Sequence, residues 1–235
     1  MKKNNRFLVV VAHPDDEVLG CGATIAKKVL AGAEAELVVM TNGITGRHNV
    51  FEKDSENIKK KQDQLGQEML NASKTIGYSN IHQFAFPDNR LDTIGRMDLT
   101  IEMRKVINKF KPSTIFTHHP GDYNWDHTIT FDAVMMAARH TPDEFCPSEI
   151  FTFEVPSSTE RSWQTGDRSF HPNVYVDVKD SILIKKNALN CYFSELRAFP
   201  HPRSLEGIEF LSRKRGSEVG LEYAEAFCLI RKVDF

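Results

Sequence analysis

Hydrophobic and polar positions along this chain alternate between two periods. Short apolar runs rich in Val, Ile and Phe, at 6–12, 35–41, 80–84, 113–118 and 149–154, read as buried strands. Between them lie longer stretches with apolar residues three or four apart, as in the row Met69, Leu70, Ala72 and Ile76. They predict amphipathic helices over 18–31, 55–76, 93–110 and 126–139, with Gly77 and Pro112 as stops. This alternation is the pattern of a parallel sheet wound with helices, so the predicted fold is α/β: a Rossmann-like parallel sheet flanked by helices, in a single domain. From 155 to 172 the chain turns polar, then returns to a strand (174–178), a helix (180–196) and a basic helix-like segment (205–218). Residues 155–235 are therefore expected to add substrate-specifying loops and C-terminal strand and helix elements.

Composition narrows the picture. A chain of 235 residues, 40% hydrophobic and 26% charged, can bury one sizeable core without a second domain. Its formal net charge of −2 argues against a general polyanion binder, so no nucleic-acid partner is expected. The widely spaced Cys21, Cys146, Cys191 and Cys228 contain no CxxC pair and are expected to be buried free thiols. The apolar run behind the basic N-terminus is interrupted at His13, too short for a signal peptide or membrane span. A cytoplasmic protein is expected, with homo-oligomerisation left open.

Chemistry concentrates where the first strand ends. The run Phe7–Ala12 delivers His13, Pro14, Asp15, Asp16 and Glu17 onto the following helix. An imidazole and three carboxyl groups crowded at a buried strand end repel unless a cation or a proton relieves them. His13 and Asp16, three apart on a turn, can bring a nitrogen and an oxygen to one point. A catalytic zinc needs three protein ligands and one open position, and the third is sought in the segment from Thr117 to His127, with His127 the choice. Fe2+ or Mn2+ also suits two histidines and a carboxylate. The bland alternative, a helix cap beside a satisfied histidine, is outweighed by two histidine/carboxylate clusters at the ends of neighbouring strands.

The stretch from Ala12 to Glu17 with Gly20, and the later Asp122, Asp126 and His127, resemble the two signature motifs of the PIG-L (LmbE-like) family of zinc-dependent N-deacetylases. Thr41-Asn42-Gly43, Glu68 and the run Phe86 to Leu91 extend the similarity over about residues 6–140. The resemblance implies hydrolysis of an N-acetyl group from an amino sugar or related amine, one Zn2+ per chain held by His13, Asp16 and His127, and Asp15 as general base. Residue chemistry agrees: a carboxylate beside the metal ligands, but not one of them, can take a proton from water. Glu17, in the first helical turn, is read as a helix-dipole carboxylate. Asp126 is read as a partner that orients an imidazole.

Where many family members place a histidine, this chain has Asn124, which can donate a hydrogen bond but cannot give up a proton. The acid role then falls to protonated Asp15 or to His118, His119 or His201, although His118 is read first as a core histidine. Candidate substrate contacts are Asn42 and Asp88 at strand ends, Arg47, Arg90 and Arg203 for an anionic group, Trp125 for a sugar face, and His201. The basic run Arg213-Lys214-Arg215 is read as solvated surface. A dinucleotide site is disfavoured because Ile25 stands where a third small residue is needed and acids stand where a pyrophosphate would lie. A closed, non-catalytic metal or sugar module would want a fourth ligand and no neighbouring base.

Overall fold

The computed structural model describes residues 5–44 and 56–234. Among them, seven strands form one sheet. β1 (Arg6–Val11), β2 (Glu34–Thr41), β3 (Asn80–Phe86), β4 (Thr114–His118) and β5 (Glu149–Phe153) pair in parallel in the order β3-β2-β1-β4-β5. β6 (Val174–Asp177) and β7 (Ala224–Lys232) complete the sheet as β5-β7-β6, both pairs of β7 being antiparallel. The helices are α1 (Asp16–Leu30), α2 (Glu56–Ile76), α3 (Arg96–Phe110), α4 (Trp125–Ala137), α5 (Ile182–Cys191) and α6 (Leu205–Ser217). None is long and apolar enough to cross a membrane.

β1 is central and buried on both faces, which is why its sequence reads as a continuous apolar run rather than an alternating one. Phe7, Val9 and Val11 pack with α1, α2 and α5, whereas Leu8 and Val10 pack with α3 and α4. The chain winds outward from β1 in one direction through β2 and β3 and in the other through β4 and β5. The crevice between the carboxyl ends of β1 and β4 is therefore the topological switch point, where open α/β sheets bind ligands.

Three expectations need correction. β7 was not anticipated: its Ala224, Glu225 and Ala226 are weak strand formers, and only pairing between β5 and β6 makes the run extended. The predicted helix 180–196 stops at Cys191, and a loop carries the chain to α6. Only Cys21 is fully buried; Cys146, Cys191 and Cys228 are half-buried, all four free.

Candidate active site

The site assembles on two loops at the switch point. β1 ends in Ala12, whose N–H donates to His118 Nε2 (2.9 Å), stapling the carboxyl ends of β1 and β4. That bond occupies His118 Nε2, and the ring is fully buried against His127 with centroids 3.9 Å apart. His118 is thus a core histidine by burial, but not a fully satisfied one, since its Nδ1 is buried without a hydrogen-bond partner among the described residues. The chain then turns at Asp15, which adopts a left-handed backbone (φ 95°) ahead of α1. Its carbonyl accepts the N–H groups of Val18 and Leu19, and Asp16 Oδ2 accepts that of His13 (3.0 Å). Gly20 is required in the next turn, since a Cβ there would collide with the Phe153 ring.

Three candidate ligand atoms converge. His13 Nδ1, Asp16 Oδ2 and His127 Nε2 are each 3.3 Å from the other two. Ligands on one tetrahedral zinc at about 2.0–2.1 Å are separated by about 3.4 Å, so the triangle has the edge such an ion requires. Asp16 Oδ1 is buried with no hydrogen-bond partner, as expected of a carboxylate waiting for a cation. The far nitrogens of both imidazoles meet carboxylates. His13 Nε2 lies 3.2 Å from Asp126 Oδ2 and from Asp88 Oδ1, and His127 Nδ1 lies 3.1 Å from Asp122 Oδ1. Such contacts fix the tautomer that turns the other nitrogen toward a metal. Asp126 thus orients His13, with its oxygens also accepting the N–H groups of Asn89 (2.7 Å) and Leu91 (3.1 Å). Asp122, for which the sequence suggested no role of its own, lies in ion-pair contact with His127 Nδ1 at an angle outside hydrogen-bond geometry. It is held by Ser158 (2.5 Å), Thr159 (2.6 Å) and the Asn124 N–H (2.9 Å).

Electrostatics follow from this packing. Burial opposes charge on His127, but Asp16 and Asp122 override it and raise its pKa to about 9. The same contest, won by Asp126, Asp16 and Asp88, raises His13. Burial would lift Asp16, yet His127, His13 and His118 hold it well below the usual carboxylate range. Without a cation the cluster therefore holds protons on its imidazoles, the positions a metal would take. Burial raises Asp15 to about 7, against the pull of Arg203. Glu17 lies in the first turn of α1, where a helix-dipole carboxylate was expected, but its surroundings are not those of a simple dipole partner. It is fully buried, accepts Tyr192 Oη–H (2.6 Å) and the Asp15 N–H (3.1 Å), and burial pushes it up to about 8.

The cleft beside the triangle is lined by polar His13, Asp15, Asp88, Asn124, Glu195 and Arg203 together with apolar Pro14, Ile44 and Leu65. Arg203 Nη1 donates to Asp15 Oδ2 (2.6 Å) and its Nε to Ser157 Oγ (2.7 Å). Asn124 caps α4 by accepting the Asp126 N–H (2.9 Å), and its Nδ2 is 3.4 Å from Asn89 Oδ1. Other sequence candidates stand apart. Asn42 Oδ1 accepts from Gln83 (3.0 Å), Trp125 is 66% exposed, and Arg90 is exposed outside the lining. His201 turns its Nδ1 to the Arg203 N–H (3.1 Å), supporting the loop rather than facing the cleft. Arg47 lies outside the described residues. Arg215 is not solvated surface: it makes a two-pronged bond to Glu154 (2.7 and 2.8 Å). The 155–172 segment buttresses Asp122 and Arg203 from behind, and the loop after α5 supplies the wall. Glu195 was missed because it arrives from that loop with no motif around it. Its only outward sign is Glu68, which holds the adjoining Ser194 Oγ (2.7 Å).

The PIG-L family, described as GlcNAc-PI de-N-acetylase, matches residues 8–138, and the chain belongs to it. The chain is 29% identical over 191 residues to the uncharacterized deacetylase YaiS of Escherichia coli K12, covering 79% of this chain and 89% of that one. Among solved structures it resembles the N,N'-diacetylchitobiose deacetylase of Pyrococcus horikoshii (TM-score 0.78, 20% identity, 96% of this chain and 84% of that one). It also resembles GalB, the 4-carboxy-2-hydroxymuconate hydratase of Pseudomonas putida KT2440 (TM-score 0.77, 19% identity, 98% of each). A fold used for both reactions leaves the chemistry to be argued from the site.

Proposed function

We propose that this protein is a zinc-dependent N-deacetylase, an amidohydrolase that converts an N-acetylated amino sugar or its conjugate and water into acetate and the free amine. The observation that carries this is the 3.3 Å triangle of His13, Asp16 and His127 with the Asp15 carboxyl on the same loop. In this reading those three residues hold one Zn2+; Fe2+ and Mn2+ suit the same ligands. A divalent cation bound there polarises the amide carbonyl and lowers the pKa of water to about 7. Asp15 takes the proton of the attacking water. It also returns that proton to the departing amine: its carboxyl lines the cleft and burial raises its pKa to about 7, so it can hold a proton near neutrality. Arg203 holds the Asp15 carboxylate in place, Asp126 and Asp122 position the two imidazoles, and Asn124 fixes the start of α4. Asp88 faces the cleft where a sugar hydroxyl would be held. The amino-sugar class is supported by the family's description and by the chitobiose deacetylase that shares the fold.

The test is to strip the protein with chelator, reconstitute it with zinc, and follow acetate release from N-acetylated free sugars, sugar nucleotides, lipid-linked amino sugars and acylated sialic-acid-like sugars. One metal per chain and release from at least one class are expected, with His127→Ala losing metal and activity together. Metal content near zero after reconstitution, or no acetate from any class, overturns the reading.

A further inference from the structure

The turn beyond β5 breaks a local rule. Val155 O accepts the Ser158 N–H (3.1 Å), so Pro156 and Ser157 are the two central residues of a tight turn. Proline first and a left-handed residue second is the pattern of a type II turn, whose second central position goes to glycine or asparagine. Here that position holds Ser157 at φ 71°. A serine there carries strain that glycine would relieve, and such strain persists where the surroundings over-determine it.

What the serine adds is its hydroxyl. Ser157 Oγ accepts the Nε–H of Arg203 (2.7 Å), whose Nη1 donates to Asp15 Oδ2 (2.6 Å). A guanidinium is a rigid planar fork, so a bond at Nε fixes the direction in which its Nη groups point. The same turn serves the other side of the site. Ser158 Oγ and Thr159 Oγ1 donate to Asp122 (2.5 and 2.6 Å), which lies 3.1 Å from His127 Nδ1. The turn is itself braced, since Thr159 Oγ1 accepts the Val155 N–H (2.7 Å) and the Ser157 N–H donates to Glu160 (2.6 Å). Three consecutive hydroxyl residues therefore tie the pair Arg203 and Asp15 and the pair Asp122 and His127 to one frame.

We propose that Ser157 is a positioning residue for the reaction: acting through Arg203, its hydroxyl aims the Asp15 carboxyl at the attacking water, and its strained backbone is kept for that contact. This rests on the deacetylase reading above. The test uses Ser157→Gly, which suits the turn and removes only the hydroxymethyl group. In zinc-loaded protein, kcat for acetate release should fall about 10–100-fold, with KM within about twofold and one zinc per chain retained. Adding Ser157→Gly to Arg203→Ala should cost less than about twofold more, because the hydroxyl works through the guanidinium. A second readout needs no reaction. In metal-free protein labelled with 15N-arginine, the Arg203 Nε–H is identified by its loss in Arg203→Lys. It should exchange with water at least about tenfold faster in Ser157→Gly than in wild type. A fall in kcat smaller than about fivefold, or effects of the two substitutions that simply multiply, overturns the proposal. If wild type releases no acetate from any sugar, the deacetylase reading fails, and the exchange rate alone then decides whether Ser157 holds Arg203.

Discussion

Asp15 combines three conditions rarely found on one side chain. Its backbone is left-handed at φ 95°, its carboxyl is buried, and it is paired to Arg203 at 2.6 Å. A non-glycine residue in that region costs of order 1–3 kcal/mol, which persists only where the surroundings over-determine it. Here the turn must direct Asp16 toward the two imidazoles while sending its neighbour to the other side of the loop, and the left-handed residue accomplishes that separation. Asp15→Asn preserves the backbone preference, since Asn tolerates this region, and preserves a hydrogen bond to Arg203 through its carbonyl oxygen. It removes the capacity to accept a proton and the negative charge opposite Arg203. The expected outcome is a fall in kcat of about 10²–10⁴-fold with one metal per chain retained, checked by steady-state acetate release and metal analysis on the same preparation. Metal loss in this variant would recast Asp15 as a ligand.

At the scale of elements, α1 is two helical pieces joined at Cys21, whose φ of −143° breaks the ladder. The break leaves the N–H groups of Ala23 and Thr24 without helical acceptors, and both donate to the Glu225 carboxylate (3.1 and 2.7 Å). Lys185 from α5 donates to Glu225 (2.7 Å) and to the Leu19 carbonyl (2.8 Å). One buried ion pair therefore satisfies both sides of the break and ties α1 to α5 and β7. Glu225→Ala leaves a buried ammonium and two amides unpaired, and should lower stability by about 3–5 kcal/mol, measured by urea unfolding. A loss under 1 kcal/mol would show that water replaces the carboxylate. None of this was legible in the sequence, because its partners lie about 40 to 200 residues apart and only the sheet brings them together. The strand, loop and helix at His13–Glu17 were legible because six to eight neighbouring residues decide them. The assignment of Asp126 to His13 and Asp122 to His127 was not, since spacing places both acids near both rings and the first turn of α4 decides which faces which.

For the whole molecule, metal-site construction and folding stability are linked through protons. In the metal-free protein His127 has a pKa of about 9, above the ordinary 6.5, because Asp16 and Asp122 outweigh burial. A basic group raised in the folded state contributes stability that is full below about 6.5 and is lost as pH rises through 9. Over 2.5 units this amounts to about 3 kcal/mol, a large part of a typical folding free energy. Glu17 acts in the same sense, since its folded value of about 8 makes its ionisation a growing penalty up to that pH. The metal-free protein should therefore melt about 5–10 °C lower at pH 9 than at pH 6.5. At the proposed site zinc would take the position of the His127 proton, so a zinc-saturated sample should lose that contribution and show a shallower decline, with its advantage over the metal-free form widening as pH rises. Parallel thermal melts with chelator and with excess zinc across this range check both slopes. Equal slopes in the two series would mean that His127 keeps its proton in the presence of zinc, and the site would then have to be sought around the other face of His13, where Asp88 and Asp126 meet its Nε2.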